Sequence, residues 1–379
     1  KRIGDVAGRI VPLMCGLYLL AAAYIIIANA GKIPEIFALI IREAFNPSEA
    51  AGAFIGGVAS FGFLKGMQRA LFSSEAGQGS APIAHSAAKT DEPVREGVVA
   101  GLEPFIDTIV VCTFTALVIL LSGAWNRAPA LAFPEGFQPA ASLVSSTADS
   151  HTWSFEPVQV HIANENEASG QMRSGQKVFM VVRGGVNPTT GGNHQKVNGT
   201  LTGTSDAGWT ASFGNLTLPI DRDNPEPPAI EIAQPGVYFD FNGATLTAKA
   251  FDRTLPGLGV WIVPAAVWLF AFSTIISWSY YGEQGVVYLF GTKAVMPYRL
   301  LYCALVLVST FEFIDADAIE NISVLGTGVM LWANIPIMLI FGRQAMREYH
   351  AYFRKMKSGG DDAHAAPPLV DVIEGKDVE

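Results

Sequence analysis

A group of polar side chains lies inside a strongly apolar stretch that begins near Val260. Ser273 and Thr274 carry hydroxyl groups, and Trp278 follows Thr274 by one helical turn, which puts these two side chains on one helix face. A polar face with small residues suits a site for a cation or for an amine. The alternative is that the hydroxyls bond back to their own helix and that Trp278 belongs to the aromatic belt at a membrane surface.

Glycine residues interrupt a second apolar stretch, which runs from Ala51 to about Arg69. Helices this rich in glycine are either tightly packed or locally unwound. In secondary transporters, unwound backbone at membrane depth marks the substrate site. The interrupted segment from Phe54 to Pro82 is therefore a second candidate site, and the alternative is a packing helix followed by an ordinary loop.

Charged side chains near or within the apolar stretches form a third group, which consists of Arg69, Glu75, Glu103 and Asp107. Asp107 lies roughly 13 Å into its predicted span, because each residue of a helix adds about 1.5 Å. A charge at that depth needs a partner, and Arg69 is the predicted one. The pair is expected to form a structural ion pair or an inner gate in preference to binding a coupling ion directly.

The sequence contains no recognisable metal-ligand cluster, phosphate-binding loop or nucleophile triad, so nothing in it favours an enzyme or an organic cofactor. Half of the residues are apolar and 16% are charged, and the apolar residues are concentrated in runs of about 20, the length that spans a bilayer. The net charge of −9 arises largely outside these runs, and nothing points to nucleic acid. The three cysteines lie within apolar runs, which argues against a disulfide framework.

Six stretches are predicted to cross the membrane. They run over about residues 10–29, 51–69, 98–122, 257–281, 298–313 and 322–341. Lys and Arg residues cluster at the chain start, after Pro82 and after Phe341, and the positive-inside rule places all three regions on the cytoplasmic side. The predicted location is the bacterial inner membrane, with the C-terminus in the cytoplasm.

The composition changes between about Asn126 and Asp252, where polar residues, β-branched alternation and turn signals predominate. This segment is predicted to be a small, mainly β domain of the sandwich type outside the membrane. The predicted organisation is a transmembrane region over residues 1–125, the inserted β domain over 126–252, a second transmembrane region over 253–345, and a cytoplasmic, partly disordered tail over 346–379.

Three segments resemble one known family. Residues Phe72–His85 read FSSEAGQGSAPIAH, and they look like the FSNEAGxGSAPxAH motif of the alanine/glycine:cation symporter family, with Ser74 where that family usually has asparagine. Phe105–Thr108 together with Cys112–Thr113, and the segment Phe270–Glu283, are similar to the same family in order and spacing. The resemblance covers roughly residues 5–125 and 255–350, and it leaves out the β insert.

The resemblance implies a fold of the leucine-transporter type. The expected fold class is an all-α polytopic membrane protein with about six transmembrane helices, part of an inverted-repeat architecture, with the mainly β domain inserted on the outside. The six stretches then correspond to helices five to ten. Since the sequence begins at Lys1 without methionine, we expect it to be part of a longer transporter whose first helices form the facing wall of the site. The chain alone is then expected not to transport.

The resemblance also implies roles for residues on the predicted helix near Ser273. Thr274 and Trp278 match family positions at the amino-acid site. Ala271, Ser273 and Thr274 match the eighth-helix half of a sodium site, where carbonyl and hydroxyl oxygens suit a hard cation.

The wall formed by the sixth helix is predicted to contain Phe54, Gly56 and Gly57, and its small glycines leave room only for a small side chain. The predicted function is secondary active transport, in which sodium drives the inward movement of a small neutral amino acid, alanine or glycine. Proton coupling stays open as an alternative to sodium. The rival function is a membrane-anchored binding or adhesion protein in which the β domain is active, and deletion of residues 128–250 would distinguish the two.

Overall fold

The computed structural model describes residues 2–45, 59–75, 77–88, 90, 92–136, 141–147, 149–168, 171–186, 192–220, 225–241, 243–311 and 316–358. Its helices are α1 (Arg2–Ala28), α2 (Ile33–Phe45), α3 (Ala59–Ser74), α4 (Ser80–His85), α5 (Pro93–Pro104), α6 (Thr113–Ser122), α7 (Glu165–Ala168), α8 (Ala244–Thr254), α9 (Gly259–Phe290), α10 (Val295–Val308) and α11 (Ala316–Lys357). A π-helical segment, Phe105–Cys112, joins α5 to α6, and short 3₁₀ turns, Ala30–Lys32 and Thr292–Ala294, precede α2 and α10. The strands are β1 (Leu131–Ala132), β2 (Ala141–Ser146), β3 (Ser150–Phe155), β4 (Val158–Ile162), β5 (Gln176–Arg183), β6 (His194–Thr204), β7 (Gly208–Phe213), β8 (Leu216–Pro219) and β9 (Glu231–Phe239).

Four stretches of the described chain are helical, long enough and apolar enough to cross a membrane. They are Ile10–Ala28, Pro93–Ser122, Gly259–Phe290 and Ala318–Lys357. Their apolar side chains are largely exposed, as expected for surfaces that lipid covers in place of water.

The predicted all-α fold with six transmembrane helices of the leucine-transporter type is wrong for this structure. The described chain holds four candidate spans and a closed β-barrel of six strands. Apolar composition overstated one helix, because the fifth predicted span corresponds to α10, which ends at Val308 after 14 residues. The second predicted span is described only from Ala59 onward, where it forms α3.

The chain divides into two compact units. One comprises residues 1–20, 66–114 and 265–379, and the other comprises residues 21–65 and 115–264. The first unit contains the loop between α3 and α4, the π-helical segment, α10 and α11. The second unit contains all nine of the described strands together with α6–α8, except for the first two residues of α6.

The strands form a closed barrel in place of the predicted sandwich. The barrel order is β1-β4-β7-β6-β5-β9, and a separate three-stranded sheet has the order β2-β3-β8. Every pairing is antiparallel, and the barrel closes where Leu131 of β1 pairs with both Ile162 of β4 and Val237 of β9. The side chains that fill it alternate along the strands as a closed sheet requires, and Val178, Leu201 and Val237 are fully buried in its core.

Gly236 permits the closure between β1 and β9. Its φ of 138° lies in a region that side-chain-bearing residues rarely adopt. A Cβ atom at this position would stand 2.4 Å from the Cβ of Pro129 and 2.8 Å from the carbonyl oxygen of Leu131. A glycine is therefore required both by the backbone conformation and by the close approach of the neighbouring strand.

A buried arginine joins the end of α6 to the barrel. Arg127 is 7% exposed, and its guanidinium donates hydrogen bonds to the carbonyl oxygens of Ala124 (3.1 Å) and Phe239 (2.7 Å). The guanidinium carbon also lies 4.8 Å from the centre of the Phe241 ring. Burial lowers the pKa of Arg127 to about 10, although the nearby carboxylate of Glu167 works in the opposite direction.

Two further cations converge on Glu167 beside this arginine. The Glu167 carboxylate accepts a short hydrogen bond from Arg253, and Lys249 Nζ lies 3.7 Å from its second oxygen, an ionic contact too long for a hydrogen bond. Arg253 also donates to the carbonyl oxygen of Ser122 (3.0 Å), the last residue of α6. A cation satisfies a helix C-terminus in this way. We call Arg127, Glu167, Lys249 and Arg253 the charged junction.

Candidate functional site

The loop between α3 and α4 has an unusual backbone and a buried interior. Glu75, Gly77 and Gly79 have φ values of 50°, 78° and 87°, all in the left-handed region. The Ser80 hydroxyl donates a short hydrogen bond to the Glu75 carboxylate, and Ser80 is 2% exposed. Gln78 is 3% exposed and donates through Nε2 to the carbonyl oxygen of Leu71 (2.7 Å). The loop therefore has a buried, polar interior. This agrees with the predicted break in the helix and not with the alternative of an ordinary surface loop.

One oxygen of this interior has no partner. Gln78 Oε1 is buried and accepts no hydrogen bond from any residue that the structure describes. The amide nitrogen of Gln78 donates to the carbonyl oxygen of Leu71, which fixes the orientation of the amide group. Its oxygen can therefore accept a hydrogen bond or coordinate a cation.

Helix α11 covers the loop closely. Asn334 Nδ2 donates to the carbonyl oxygen of Gly77 (2.8 Å). A Cβ at Gly77 would lie 3.2 Å from Leu331, and a Cβ at Gly79 would lie 3.1 Å from Asn334. The two glycines are therefore required by both their φ values and this contact. The sequence reasoning missed Asn334, although an amide inside an otherwise apolar helix was a signal that could have revealed it.

The two charges that were predicted to pair have other partners. Asp107 lies in the π-helical segment, and its carboxylate accepts a short hydrogen bond from the Ser73 hydroxyl and a longer one from Thr108 (3.4 Å). Arg69 bonds to Glu320 of α11 at 2.6 Å. The structure therefore does not bring Arg69 and Asp107 together. Ser73 lies one turn after Arg69 on α3, and it is the shorter side chain that reaches Asp107. A π-helical turn at such a residue is a frequent feature of functional sites.

His85 connects α4 to the helix that follows. Its Nδ1 lies 2.6 Å from Glu96 and its Nε2 lies 3.8 Å from Glu103. Glu103 in turn interacts electrostatically with Glu75 and Asp107. Both ring nitrogens of His85 thus have carboxylate neighbours.

The predicted face near Ser273 lies on one continuous helix, α9. The Ser273 hydroxyl is buried and donates to the carbonyl oxygen of Phe270 (2.9 Å), which is the alternative that the sequence left open. Its oxygen keeps lone pairs that can accept a cation. Thr274 and Ala271 are exposed, and the half-buried ring of Trp278 lies 6.3 Å from that of Tyr281.

Helix α10 packs against the same helix. Tyr302 donates to the carbonyl oxygen of Ile275 (2.9 Å), and Arg299 makes two hydrogen bonds to Glu283, at 2.8 and 2.9 Å. Two-point pairing of this kind fixes the register of two helices. Phe54, Gly56 and Gly57, the other predicted substrate residues, lie outside the described part of the chain. In the described residues, no group of three or more His, Cys, Asp or Glu side chains is arranged to hold a metal ion.

Comparison with known proteins identifies the family of this chain. The sodium:alanine symporter family matches residues 1–154 and 229–366, leaving out much of the barrel. An uncharacterized transporter of Haemophilus influenzae is 28% identical over 94% of the chain and 54% of its own length. The sodium/alanine symporter AgcS of Methanococcus maripaludis is 30% identical over 96% of the chain and 55% of its own length.

A sodium/proton-dependent alanine carrier protein of Bacillus sp. PS3 is 23% identical over 95% of the chain and 59% of its own length. The chain therefore spans little more than half the length of the curated relatives that it matches. The matched family consists of transporters and not of enzymes, and with its long apolar helices the chain is a multi-pass membrane protein. It belongs to the sodium:alanine symporter family.

Proposed function

We propose that the protein containing this sequence is a secondary active transporter that couples sodium to the movement of a small neutral amino acid, alanine or glycine. The observation that carries the proposal is the loop between α3 and α4, which lies buried beneath α11 in a family of symporters. Irregular backbone among membrane-spanning helices persists only where it is buried in protein or lines a cavity, and such breaks mark substrate sites in secondary transporters.

The names of two relatives support the choice of substrate and ion. The Methanococcus maripaludis relative is named a sodium/alanine symporter, and the Bacillus sp. PS3 relative is named a sodium/proton-dependent alanine carrier. Both names specify alanine and sodium, and the second adds protons. For the present protein we propose sodium as the coupling ion and a side chain no larger than that of alanine.

One face of α9 is the proposed ligand surface on this chain. Thr274 and Trp278 are proposed to contact the amino acid, since Thr274 is exposed and Trp278 is half-buried one turn away. Ala271, Ser273 and Thr274 are proposed to supply carbonyl and hydroxyl oxygens for one half of a sodium site, because sodium as a hard cation prefers oxygen ligands. Phe54, Gly56 and Gly57, which lie outside the described part of the chain, are proposed as further residues of the substrate site.

The polar contacts of α3 are proposed to act as an inner gate. Asp107 holds α3 through Ser73, and Arg69 holds α3 to α11 through Glu320. Any movement of α3 during transport breaks or exchanges these bonds. Arg69 and Asp107 thus keep their proposed role in gating, although each has its own partner.

The proposed organisation in the membrane follows the positive-inside rule. Transmembrane regions cover residues 1–125 and 253–345, residues 126–252 lie outside the bacterial inner membrane, and residues 346–379 form a cytoplasmic tail. The amino acid, sodium and the bilayer are the proposed partners.

Uptake of radiolabelled alanine into proteoliposomes tests the function. The protein containing this sequence is expected to accumulate alanine with an inward sodium gradient and not with choline in place of sodium. Thr274→Val is expected to abolish this uptake. Thr310→Val, whose hydroxyl donates to the carbonyl oxygen of Leu307 at the end of α10, is expected to keep it. Equal uptake with sodium, with choline and with an imposed proton gradient would contradict the proposal. Uptake that requires the proton gradient and not sodium would mean that protons are the coupling ion.

A further inference from the structure

The C-terminal part of α11 carries a narrow row of basic side chains. Arg343, Arg347, His350, Arg354 and Lys357 follow one another at alternating intervals of four and three residues. At about 100° per residue, all five fall within an arc of about 80° around the helix. All five are exposed in the structure. We call these five residues the basic face.

The basic face has no acidic partner among the described residues. The ion pairs of the described chain involve other side chains, and the one hydrogen bond from this face joins Arg354 to the carbonyl oxygen of His350 in the same helix (3.3 Å). Glu348, the acidic residue within this part of α11, lies about 140° away from Arg343 around the helix. Like charges three and four residues apart repel each other and weaken a helix, so an anion bound along the face would stabilise it.

The neighbouring contacts place this row at a membrane surface. The apolar part of α11 ends at Phe341, two residues before the row begins. On another side of the helix, Lys355 bonds to Glu92 at 2.7 Å. Glu92 directly precedes Pro93, where a further candidate span begins. Lys355 therefore lies level with the start of one candidate span, and the row begins just after the apolar part of α11 ends at Phe341.

The length of the row fits the charged zone of a bilayer. From Arg343 to Lys357 the helix rises about 21 Å. Half the difference between the full bilayer and its hydrocarbon core gives a headgroup layer of about 5–8 Å on each side, and electrostatic attraction extends about 8–10 Å further at physiological salt. Most of the row thus remains within reach of lipid headgroups.

Aromatic side chains flank the row. Phe353 lies beside it, together with Arg347 and Arg354, along one shallow groove, and its ring is 4.6 Å from that of Tyr349. Aromatic rings prefer the boundary between headgroups and acyl chains. Guanidinium groups bind phosphate oxygens in pairs, which lysine cannot do. The combination fits a phosphate-bearing lipid better than a purely aqueous anion.

We propose that the basic face is a binding site for the headgroups of anionic phospholipids in the leaflet at which α11 ends. Basic clusters that directly follow a membrane span bind such headgroups by charge attraction. The row binds them along the helix, and the Lys355–Glu92 bond holds the row at the membrane surface by fixing the neighbouring side of α11 to the start of α5.

Lipid titration of the purified protein, followed by native mass spectrometry, tests the proposal. The probes are phosphatidylglycerol and phosphatidylcholine of the same chain length. The substituted protein carries Arg347→Gln, Arg354→Gln and Lys357→Gln. The matched control carries Lys32→Gln, Lys65→Gln and Lys293→Gln, which remove the same charge from exposed positions elsewhere.

The unsubstituted protein is expected to prefer phosphatidylglycerol and to lose that preference in high salt. Each basic residue near an anionic surface accounts for about a fivefold factor in affinity, so the three substitutions together are expected to weaken binding between about fivefold and a hundredfold, with the largest share from Arg347, which of the three lies nearest the end of the apolar part of α11. The control triple is expected to bind as the unsubstituted protein does, and a variant with Arg347→Lys and Arg354→Lys is expected to retain most of the preference.

Three results would overturn the proposal. The first is equal binding of the two lipids, and the second is an equal loss in the control triple. The third is a preference for phosphatidylglycerol that appears only after residues 359–379 are removed. That result would mean that the basic face binds the acidic end of this chain and not lipid. The acidic residues of that segment are Asp361, Asp362, Asp371, Glu374, Asp377 and Glu379.

Discussion

The β-barrel and the candidate membrane spans bury their apolar side chains in different surroundings. In the barrel, Val178, Met180 and Leu201 have no exposed surface, so the domain builds its own hydrophobic core. In the candidate spans, by contrast, at most 22% of the most apolar window is buried, and Trp332 is 86% exposed. The barrel therefore has the buried apolar core of a domain in water, and the candidate spans have the exposed apolar surface of helices in lipid, although both lie in one chain.

The two regions also treat polar groups differently. The barrel satisfies most of its backbone hydrogen bonds through antiparallel pairing between strands. The helices carry their few polar side chains in short local pairs, such as Ser73 with Asp107 and Ser80 with Glu75. Loss of a buried polar partner is costly in both settings, yet the pairs Ser73–Asp107 and Ser80–Glu75 lie where the backbone departs from a regular α-helix. The barrel's polar contacts are explained by its fold alone, whereas these two pairs belong to the site proposed above.

The largest predicted effect is the loss of a core side chain in the barrel. Phe239→Ala removes a ring that is 1% exposed, and we expect it to lower the free energy of unfolding of the barrel by about 3–5 kcal/mol. Phe290→Ala is the matched control, because Phe290 is 72% exposed at the end of α9. The urea midpoint of the barrel, measured by pulse proteolysis of the protein in nanodiscs, checks both. Equal urea midpoints for the two variants would contradict the claim that apolar burial stabilises the barrel and not the end of α9.

Closure of the barrel is the next most sensitive feature. Gly236→Ala places a Cβ against Pro129 and Leu131 in a strained backbone conformation, and we expect a loss of about 2–4 kcal/mol from strain and overpacking together. Gly136→Ala isolates the strain, since Gly136 also has a positive φ but open space around it. The same midpoint measurement applies. A loss no larger than that of Gly136→Ala would mean that the neighbouring strand yields to the new methyl group.

The charged junction is predicted to be the weak point between the barrel and α6. Glu167→Gln leaves Arg253 and Lys249 without their carboxylate, and because both cations keep some contact with solvent we expect a loss of about 2 kcal/mol. Glu165→Gln, an exposed position in the same short helix, is expected to be neutral. Hydrogen exchange at the last turn of α6, measured by mass spectrometry, should rise in the first variant alone. Unchanged exchange would show that the junction does not hold this helix end.

A smaller effect is expected where α11 covers the loop between α3 and α4. Asn334→Leu removes the hydrogen bond to the carbonyl oxygen of Gly77 and should lower the thermal stability by an amount equivalent to about 1 kcal/mol. Asn321→Leu changes an exposed amide of the same helix and should have no effect. Thermal unfolding in detergent compares the two, and identical midpoints would mean that this bond contributes nothing.

Local patterns predicted some of these features and not others. The strand over Val158–Ile162 is visible in the alternation of its residues, and it matches β4 as the structure has it. The closed barrel is not visible, because it depends on Leu131 meeting Val237 across a hundred residues of chain. The apolar composition of α10 predicted a span, but it does not report where the helix ends.

The candidate site shows the same limit. The sequence could indicate that Asp107 needs a partner, since an unpaired charge at that depth is costly. It could not decide between Arg69 and Ser73, because the choice depends on which turn of α3 faces the π-helical segment. Asn334 was missed for a related reason: it follows the loop by more than 250 residues, and a separation along the chain says nothing about contact.

The most direct test of the proposed symport is the effect of sodium on alanine binding. Equilibrium binding of radiolabelled alanine is measured with sodium and with choline, in Trp278→Ala and in Trp268→Ala. Trp268 is the matched control because it lies on the same helix, is 66% exposed and stacks on Phe272. We predict that sodium tightens alanine binding in the unsubstituted protein and in Trp268→Ala, and that Trp278→Ala loses this binding. Sodium-independent binding, or equal binding in the two variants, would contradict the proposal that this face of α9 binds a coupled substrate.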